Sequence, residues 1–185
     1  MIVADGGIIN DPSTVVQNDF IKPTFYLTIP PIFGASGAFT LVANKLYSHG
    51  IVITKTMTFD RIAIFVNTLS VGSVRLGIYA DNGSVYPGTL ILDAGTVDVS
   101  GTGTKSITIN LTLTPGLYWL ASVSDVVPIL STAGTAYTFA YGGTLPGVSG
   151  LCGYLSDLAF GTLPNPYTAG ADANNTNPFV GLRKK

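Results

Sequence analysis

The chain has 185 residues, of which 46% are hydrophobic and only 10% are charged, and its net charge at pH 7 is −1. This length accommodates one domain with a sizeable core and leaves residues for an extended segment. Basic residues cluster only at positions 183–185, so the sequence offers no basic patch of the kind that binds a nucleic acid.

The low charge also bears on how the protein behaves in solution. All ten acidic residues are aspartates, and a surface so poor in charge favours association over a soluble monomer. We therefore expect outer faces that are partly buried in an assembly, although buried threonine and serine side chains would also account for this composition.

The single cysteine, Cys152, limits the covalent and metal chemistry that we expect. One cysteine forms no internal disulfide and argues against a cysteine-ligated metal site, so we interpret Cys152 as a small buried apolar residue. The first residues lack the basic and apolar regions of a secretory signal, and no apolar run approaches the ~18 residues that span a bilayer. We predict neither a cofactor, a metal nor a membrane partner.

Residues 1–30 are predicted to form an extended N-terminal arm, and residues 31–185 the folded domain. Prolines at positions 12, 23 and 30 remove backbone donors and disfavour a central strand. The arm is too apolar for a free tail, so we expect it to pack on its own domain or to bind a neighbouring protein. The apolar residues predicted to make this contact are Ile8, Ile9, Val15, Val16, Phe20 and Phe25.

A period of two begins at about residue 39 and predicts half-buried antiparallel strands. Segment 57–69 places Ile62, Ile64 and Val66 on one face, and segment 106–113 alternates aliphatic with hydroxyl or amide side chains. Segment 117–123 returns after a Pro-Gly turn and directs Trp119 toward the core.

About eight short strands, with long Gly/Pro/Asn-rich loops at 125–135 and 142–178 and no convincing helix, predict an all-β fold. The spacing favours an antiparallel β-sandwich, jelly-roll-like, with an extended N-terminal arm.

Candidate catalytic residues are few. The only histidine, His49, precedes a glycine and is predicted to be a surface turn residue. Asp81 and Asp93 are the only pair that resembles the two carboxylates of a glycosidase. Asp81 belongs to an Asp-Asn-Gly turn signal, and Asp93 to a bend or bulge in a strand, so both are interpreted as structural. Calcium binding remains a weaker alternative, and we predict no enzymatic activity.

Three tyrosines suggest a different site. Tyr79, Tyr86 and Tyr118 alternate away from the predicted core positions, and exposed aromatic side chains on a β-sandwich stack on sugars. They form a candidate glycan-binding face. The alternative is that they pack between the sheet and a loop, or at a subunit contact.

The central sequence resembles a module of tailed-bacteriophage virion proteins. The similarity lies in RLGIYADNGSVYPGTLILDAGTV at 75–97, SITINLTL at 106–113 and TPGLYWLAS at 114–122. TFDRIAIFV at 58–66 and IPPIFGASG at 29–37 extend it to roughly residues 30–125. The resemblance implies a jelly-roll domain with a structural role and no catalytic residues, on a capsid surface or at the tip of a tail fibre.

The predicted function is therefore that of a non-enzymatic structural protein of a bacteriophage virion. We expect a capsid decoration, or cement, protein that its N-terminal arm anchors to a major capsid protein. The alternative is a tail-fibre or baseplate component whose sandwich binds a host receptor or glycan, through Tyr86 and the 124–178 loops. Such virion parts are expected to be symmetric homo-oligomers, with a trimer favoured.

Overall fold

The computed structural model describes residues 26–27, 36–133, 151–174 and 177–185, and the described residues form strands and connections without a helix. The strands are β1 Tyr26–Leu27, β2 Ser36–Thr40, β3 Lys45–Ile53, β4 Met57–Thr68, β5 Ser73–Asp81, β6 Pro87–Asp98, β7 Gly103–Leu113, β8 Gly116–Ser124, β9 Ile129–Ala133, β10 Leu151–Asp157, β11 Ala171–Asn174 and β12 Gly181–Lys184.

These strands form two six-stranded antiparallel sheets. Sheet A has the order β1-β12-β4-β9-β2, and β7 pairs with the other edge of β4. Strands β9 and β12 share one edge of β4, because β7 occupies the opposite edge from Met57 to Val66. Sheet B has the order β11-β10-β3-β8-β5-β6.

The eight strands β2–β9 have the topology of a jelly roll. The order β2-β9-β4-β7 in sheet A faces the order β3-β8-β5-β6 in sheet B. Two sheets of four strands connected in this way are the double Greek key of that fold. The predicted all-β antiparallel sandwich is confirmed, and β10, β11, β12 and β1 extend its two sheets.

The main core lies between the sheets, as the alternating pattern predicted. Ile62, Ile64 and Val66 of β4 are fully buried there, whereas Phe65 on the outer face is 46% exposed. Strand β5 contributes alternate residues of the same kind, beginning with Val74. Burial of these aliphatic side chains supplies most of the driving force for folding.

A second apolar cluster covers the outer face of sheet B. Segment 158–170 lies across this face and contributes Leu163 and Tyr167, which pack against Trp119 and Ala121 of β8. Leu120, between those two residues, faces the main core. Strand β8 is therefore buried on both faces, and Trp119 is buried as predicted, but outside the space between the sheets.

The sandwich has two ends with different connections. Links 54–56, 82–86 and 114–115 form what we call the turn end, and links 41–44, 69–72, 99–102 and 125–128 form the loop end. The four loops of the loop end are joined by backbone hydrogen bonds, such as Leu41 N–H to Pro128 O at 3.0 Å and Ser70 N–H to Val99 O at 3.1 Å.

Candidate functional site

The link between β5 and β6 is the predicted Asp-Asn-Gly turn. The backbone N–H of Gly83 donates to Asp81 Oδ2 at 2.8 Å, and the N–H of Ser84 donates to Asn82 Oδ1 at 2.8 Å. Gly83 has a φ of 91°, in the region that glycine adopts at little cost. The turn prediction for this segment is confirmed.

The second oxygen of the Asp81 carboxylate binds a side chain from sheet B. Trp119 donates its Nε1–H to Asp81 Oδ1 at 3.0 Å. Because the indole is fully buried, this hydrogen bond satisfies a donor that would otherwise be costly to bury. Asp81 thus ties the turn to the outer apolar cluster.

Asp93 occupies the predicted bulge in β6. Leu76 lies opposite Gly95 and Gly77 lies opposite Asp93, which leaves Ala94 as the extra residue. The φ of Gly95 is 97°, as a glycine in a bulge often requires. The bulge prediction for Asp93-Ala94-Gly95 is confirmed.

The Asp93 carboxylate fixes segment 158–170 to sheet B. Arg75 Nη1 lies 2.8 Å from both carboxylate oxygens, and the backbone N–H of Leu163 donates to Oδ2 at 3.1 Å. The side chains of Arg75 and Asp93 are each 21% exposed, so this ion pair is partly shielded from water. Its position makes Asp93 a support for the segment that covers the aromatic cluster.

Asp81 and Asp93 do not face each other. Asp81 lies opposite Pro87, and Asp93 lies opposite Gly77, four residues away along β5. This offset separates the two backbone positions by roughly 13 Å at the rise of a β-strand. Each carboxylate also accepts its own set of hydrogen bonds, so the geometry matches the structural interpretation of both residues.

The three tyrosines of the candidate glycan face are not brought together on one open surface. Tyr79 is fully buried on the outer face of sheet B and donates its hydroxyl to Pro164 O at 3.0 Å. Tyr118 packs against the main core on the other face and donates to Thr114 O. Only Tyr86 is both half-exposed and on the outer side.

Tyr86 belongs to an aromatic group that segment 158–170 covers. Its ring lies 4.4 Å from that of Tyr154 and 5.9 Å from that of Tyr167, measured between centroids. Its hydroxyl donates to Thr168 O and accepts the N–H of Gly170 at 2.7 Å. These contacts are the packing between sheet and loop that the sequence left open as the alternative.

Burial changes the acidity of the tyrosines in this group. Desolvation raises the pKa of Tyr167 to about 12 and raises the pKa of Tyr79 above its usual range. Both hydroxyls therefore stay neutral donors at physiological pH. Tyr167 donates to Leu46 O at 3.3 Å, which anchors segment 158–170 to β3.

The sequence did not predict this aromatic group, although a signal for it exists. Both faces of segment 117–123 carry apolar residues, which is the pattern of a strand buried on both sides. Leu163 and Tyr167 of segment 158–170 supply the covering side chains, and Tyr154 joins them from β10. All three lie within a stretch that was interpreted as a loop.

The prediction that His49 is a surface turn residue is wrong. His49 lies in the middle of β3, is 6% exposed, and stacks on Phe179 with a centroid distance of 6.2 Å. Its Nε2 contacts Val180 O at 3.2 Å. The glycine that follows it occupies a paired strand position, opposite Trp119, so the local Ser-His-Gly signal is overridden by sheet packing.

The loop end carries a cluster of exposed aliphatic side chains, which we call the loop-end patch. Its members are Val42 at 48% exposed, Leu69 at 48%, Val71 at 82% and Val127 at 53%. They come from three loops at the same end of the sandwich, and exposed apolar surface that is contiguous marks sites that bind other proteins. Their signal in the sequence is the presence of aliphatic residues in links where turn residues are expected.

Several predicted residues fall outside what the structure describes. The arm residues Ile8, Ile9, Val15, Val16, Phe20 and Phe25 lie outside the described residues, and so does the Cys152 side chain. In the described ranges, no three His, Cys or Asp side chains come together as metal ligands. The described part of the chain also contains no helix that is long and apolar enough to cross a membrane.

The chain matches no family model, no curated protein and no solved structure. The resemblance of residues 30–125 to a virion module therefore remains a prediction, and the jelly-roll topology follows from this structure alone.

Proposed function

We propose that this chain is a non-enzymatic structural protein of a bacteriophage virion, a capsid decoration protein that bridges neighbouring subunits. The resemblance of residues 30–125 supports the virion assignment. The observation that carries the decoration role is that β1, the described part of the N-terminal arm, begins at the end of the sandwich opposite the loop-end patch.

Strand β1 is the described part of the N-terminal arm, and its pairing gives its direction. Tyr26 pairs with Arg183 of β12, and Arg183 pairs with Arg61 of β4, so β1 runs parallel to β4. The N-terminal end of β1 therefore faces the turn end. Lys185 also lies at this end, where its N–H donates to Thr58 O at 2.9 Å.

The loop-end patch begins where β4 finishes. Leu69 and Val71 directly follow this strand of 12 residues, so the patch lies roughly 35 Å from the start of β4 at the rise of a β-strand. A protein that cements a capsid needs contacts with two neighbours. We propose that the residues preceding β1 make one of these contacts and that the apolar patch makes the other.

The surroundings of the patch favour an apolar contact. Asp125 accepts the N–H of Ser73 at 2.7 Å, and Asp98 accepts both donors of Ser100, so each of these carboxylates already accepts hydrogen bonds from the protein. The backbone hydrogen bonds between the loops hold the patch in a defined shape, which lowers the entropic cost of binding. We propose other virion proteins and further copies of this chain as the partners.

Particle incorporation tests this function. Particles assembled with a chain that lacks residues 1–25 are expected to contain none of it, while the purified variant keeps its β-sheet circular dichroism. Val71→Asp is expected to reduce incorporation at least tenfold, because it places a charge in the apolar contact. Ile91→Asp is the matched control, since Ile91 is an aliphatic residue that is 36% exposed and lies within β6, outside the links of either end.

Immunogold labelling of intact particles locates the protein. Label distributed over the capsid is the expected result. Label confined to the tail would contradict the decoration role and favour the tail-fibre alternative, and normal incorporation of the truncated chain would contradict anchoring by the arm.

A further inference from the structure

Segment 177–180 leads into β12 and is attached to β3 at two consecutive residues. Asn177 donates its Nδ2–H to Ser48 O at 3.3 Å. The imidazole of His49 donates from Nε2 to Val180 O at 3.2 Å. This short segment therefore fastens the start of β12 to β3, an inner strand of the other sheet.

The His49 ring lies in an apolar setting. It stacks on Phe179 with an angle of 17° between the ring planes, and Leu120 of β8 lies beside it in the sheet register. Phe179 is itself held from the opposite sheet, because its N–H donates to Ser131 O on β9 at 2.9 Å. The segment thus closes one side of the sandwich between β3 and β9.

The groups around His49 are uncharged. Residues 177–180 carry no titratable side chain, and the Leu120 side chain on β8 is aliphatic. Tyr47 is the titratable residue on the same face of β3, and burial keeps it neutral by raising its pKa. The nearest ion pair of β12, between Arg183 and Asp60, lies on the outer face of sheet A.

Strand β12 has a second role, because it supports β1. Leu182 and Arg183 pair with Leu27 and Tyr26, and β1 has no other strand partner among the described residues. The attachment of β1 to the sandwich therefore depends on β12 in the described structure. Loss of the contact between segment 177–180 and β3 would loosen both strands.

We infer that the contact between His49 and segment 177–180 is an acid-sensitive switch, in which protonation of the imidazole releases β12 and β1 from the sandwich. This inference goes beyond the proposed function and does not depend on it. It concerns the purified chain and requires no virion partner.

The direction of the effect follows from the environment of the ring. Burial lowers the pKa of His49 from 6.5 to about 4, and the carbonyls of Val180 and Pro178 only partly oppose this change. The released state, in which the ring meets water, binds the proton more tightly than the closed state. The closed state is fully favoured above pH 6.5 and loses stability as the pH falls from 6.5 to 4.

Asp60 titrates in a different pH range from His49. Arg183 lowers the pKa of its carboxylate below the ordinary 3.8, so the ion pair that joins β12 to β4 is lost only at a pH below that of the histidine transition. A change between pH 6.5 and pH 4 is therefore assigned to His49.

Hydrogen exchange of the full chain tests the inference. Protection factors, corrected for the intrinsic exchange rate, are compared at pH 7 and pH 4.5 for the amides of Leu182 and Arg183 and for those of β5. We expect the β12 protection to fall roughly 50-fold while that of β5 is maintained. The variant His49→Gln keeps a donor for Val180 O but has no group that titrates in this range. We expect its β12 protection factors to be the same at pH 7 and at pH 4.5.

Two results would overturn the inference. One is a fall of equal size in β5 and β12, which would indicate global unfolding; this comparison uses the wild-type chain and stands even if the variant does not fold. The other is a decrease in the β12 protection factors of His49→Gln that is as large as the decrease in the wild type.

Discussion

The indole of Trp119 and the carboxylate of Asp81 are joined by a hydrogen bond of 3.0 Å, although the two residues belong to different strands of sheet B. The same carboxylate accepts the N–H of Gly83 with its other oxygen. A single aspartate therefore connects the shape of a surface turn to the packing of a buried aromatic residue.

Replacing Asp81 by alanine is expected to lower the free energy of unfolding by about 2 kcal/mol, because a buried indole donor and a turn donor both lose their acceptor. Urea denaturation followed by circular dichroism measures the loss. Asn82→Ala is the matched control, since Asn82 accepts only the exposed N–H of Ser84. An equal loss in the two variants would show that the bond to Trp119 contributes nothing.

Asp93→Asn is expected to weaken the attachment of segment 158–170, because the charge that holds Arg75 and the Leu163 N–H is removed. We expect the unfolding free energy to fall by about 2 kcal/mol and the Leu163 amide to exchange faster. Asp157→Asn serves as the control, since its ion pair with Lys45 is on the surface. Unchanged exchange at Leu163 in Asp93→Asn would refute this role.

Gly77→Ala is expected to disturb the same attachment by steric conflict. An added Cβ at Gly77 would lie 2.1 Å from Leu163 Cδ1 and 2.7 Å from the backbone oxygen of Leu92. Leu163 can move away but the backbone cannot, so we expect a loss of about 2 kcal/mol in the unfolding free energy. Gly161→Ala, whose Cβ has its nearest neighbour 3.8 Å away at Ala159 O, should be nearly neutral.

The raised pKa values of the buried tyrosines predict that the protein loses stability in alkali. Tyr167 has a folded-state pKa of about 12, above the ordinary 10, so the folded state favours the neutral phenol. The stabilisation is complete below pH 10 and is lost as the pH rises from 10 to 12. Spectrophotometric titration near 295 nm should show late ionisation of Tyr167 and Tyr79. Titration of every tyrosine near pH 10 in the folded protein would contradict this.

Much of the fold was predictable because local pattern and tertiary packing agree along most strands. Ile62, Ile64 and Val66 alternate with outward residues, and the inner row is buried between the sheets. The turn at Asn82-Gly83 and the bulge at Gly95 were also predictable, since positive φ values at these glycines leave a signal in the sequence.

The remaining features depend on contacts between distant parts of the chain. Tyr79 occupies an outward position of β5, and only the segment that contains Leu163 and Tyr167, more than 80 residues later, buries it. His49 is likewise buried by Phe179 and Val180, which no local pattern around residue 49 announces. Alternation identifies the two faces of a strand, but it does not reveal that a second layer covers the outer one.

The location of Trp119 has a spectroscopic consequence, since the chain contains only this tryptophan. Its indole lies beneath segment 158–170 on the outer face of sheet B, apart from the aliphatic core between the sheets. Tryptophan emission therefore reports on the outer layer, whereas far-ultraviolet circular dichroism reports on the strands. If the tryptophan emission shifts to the red before the strand signal is lost during unfolding, segment 158–170 detaches from sheet B in a separate, earlier step.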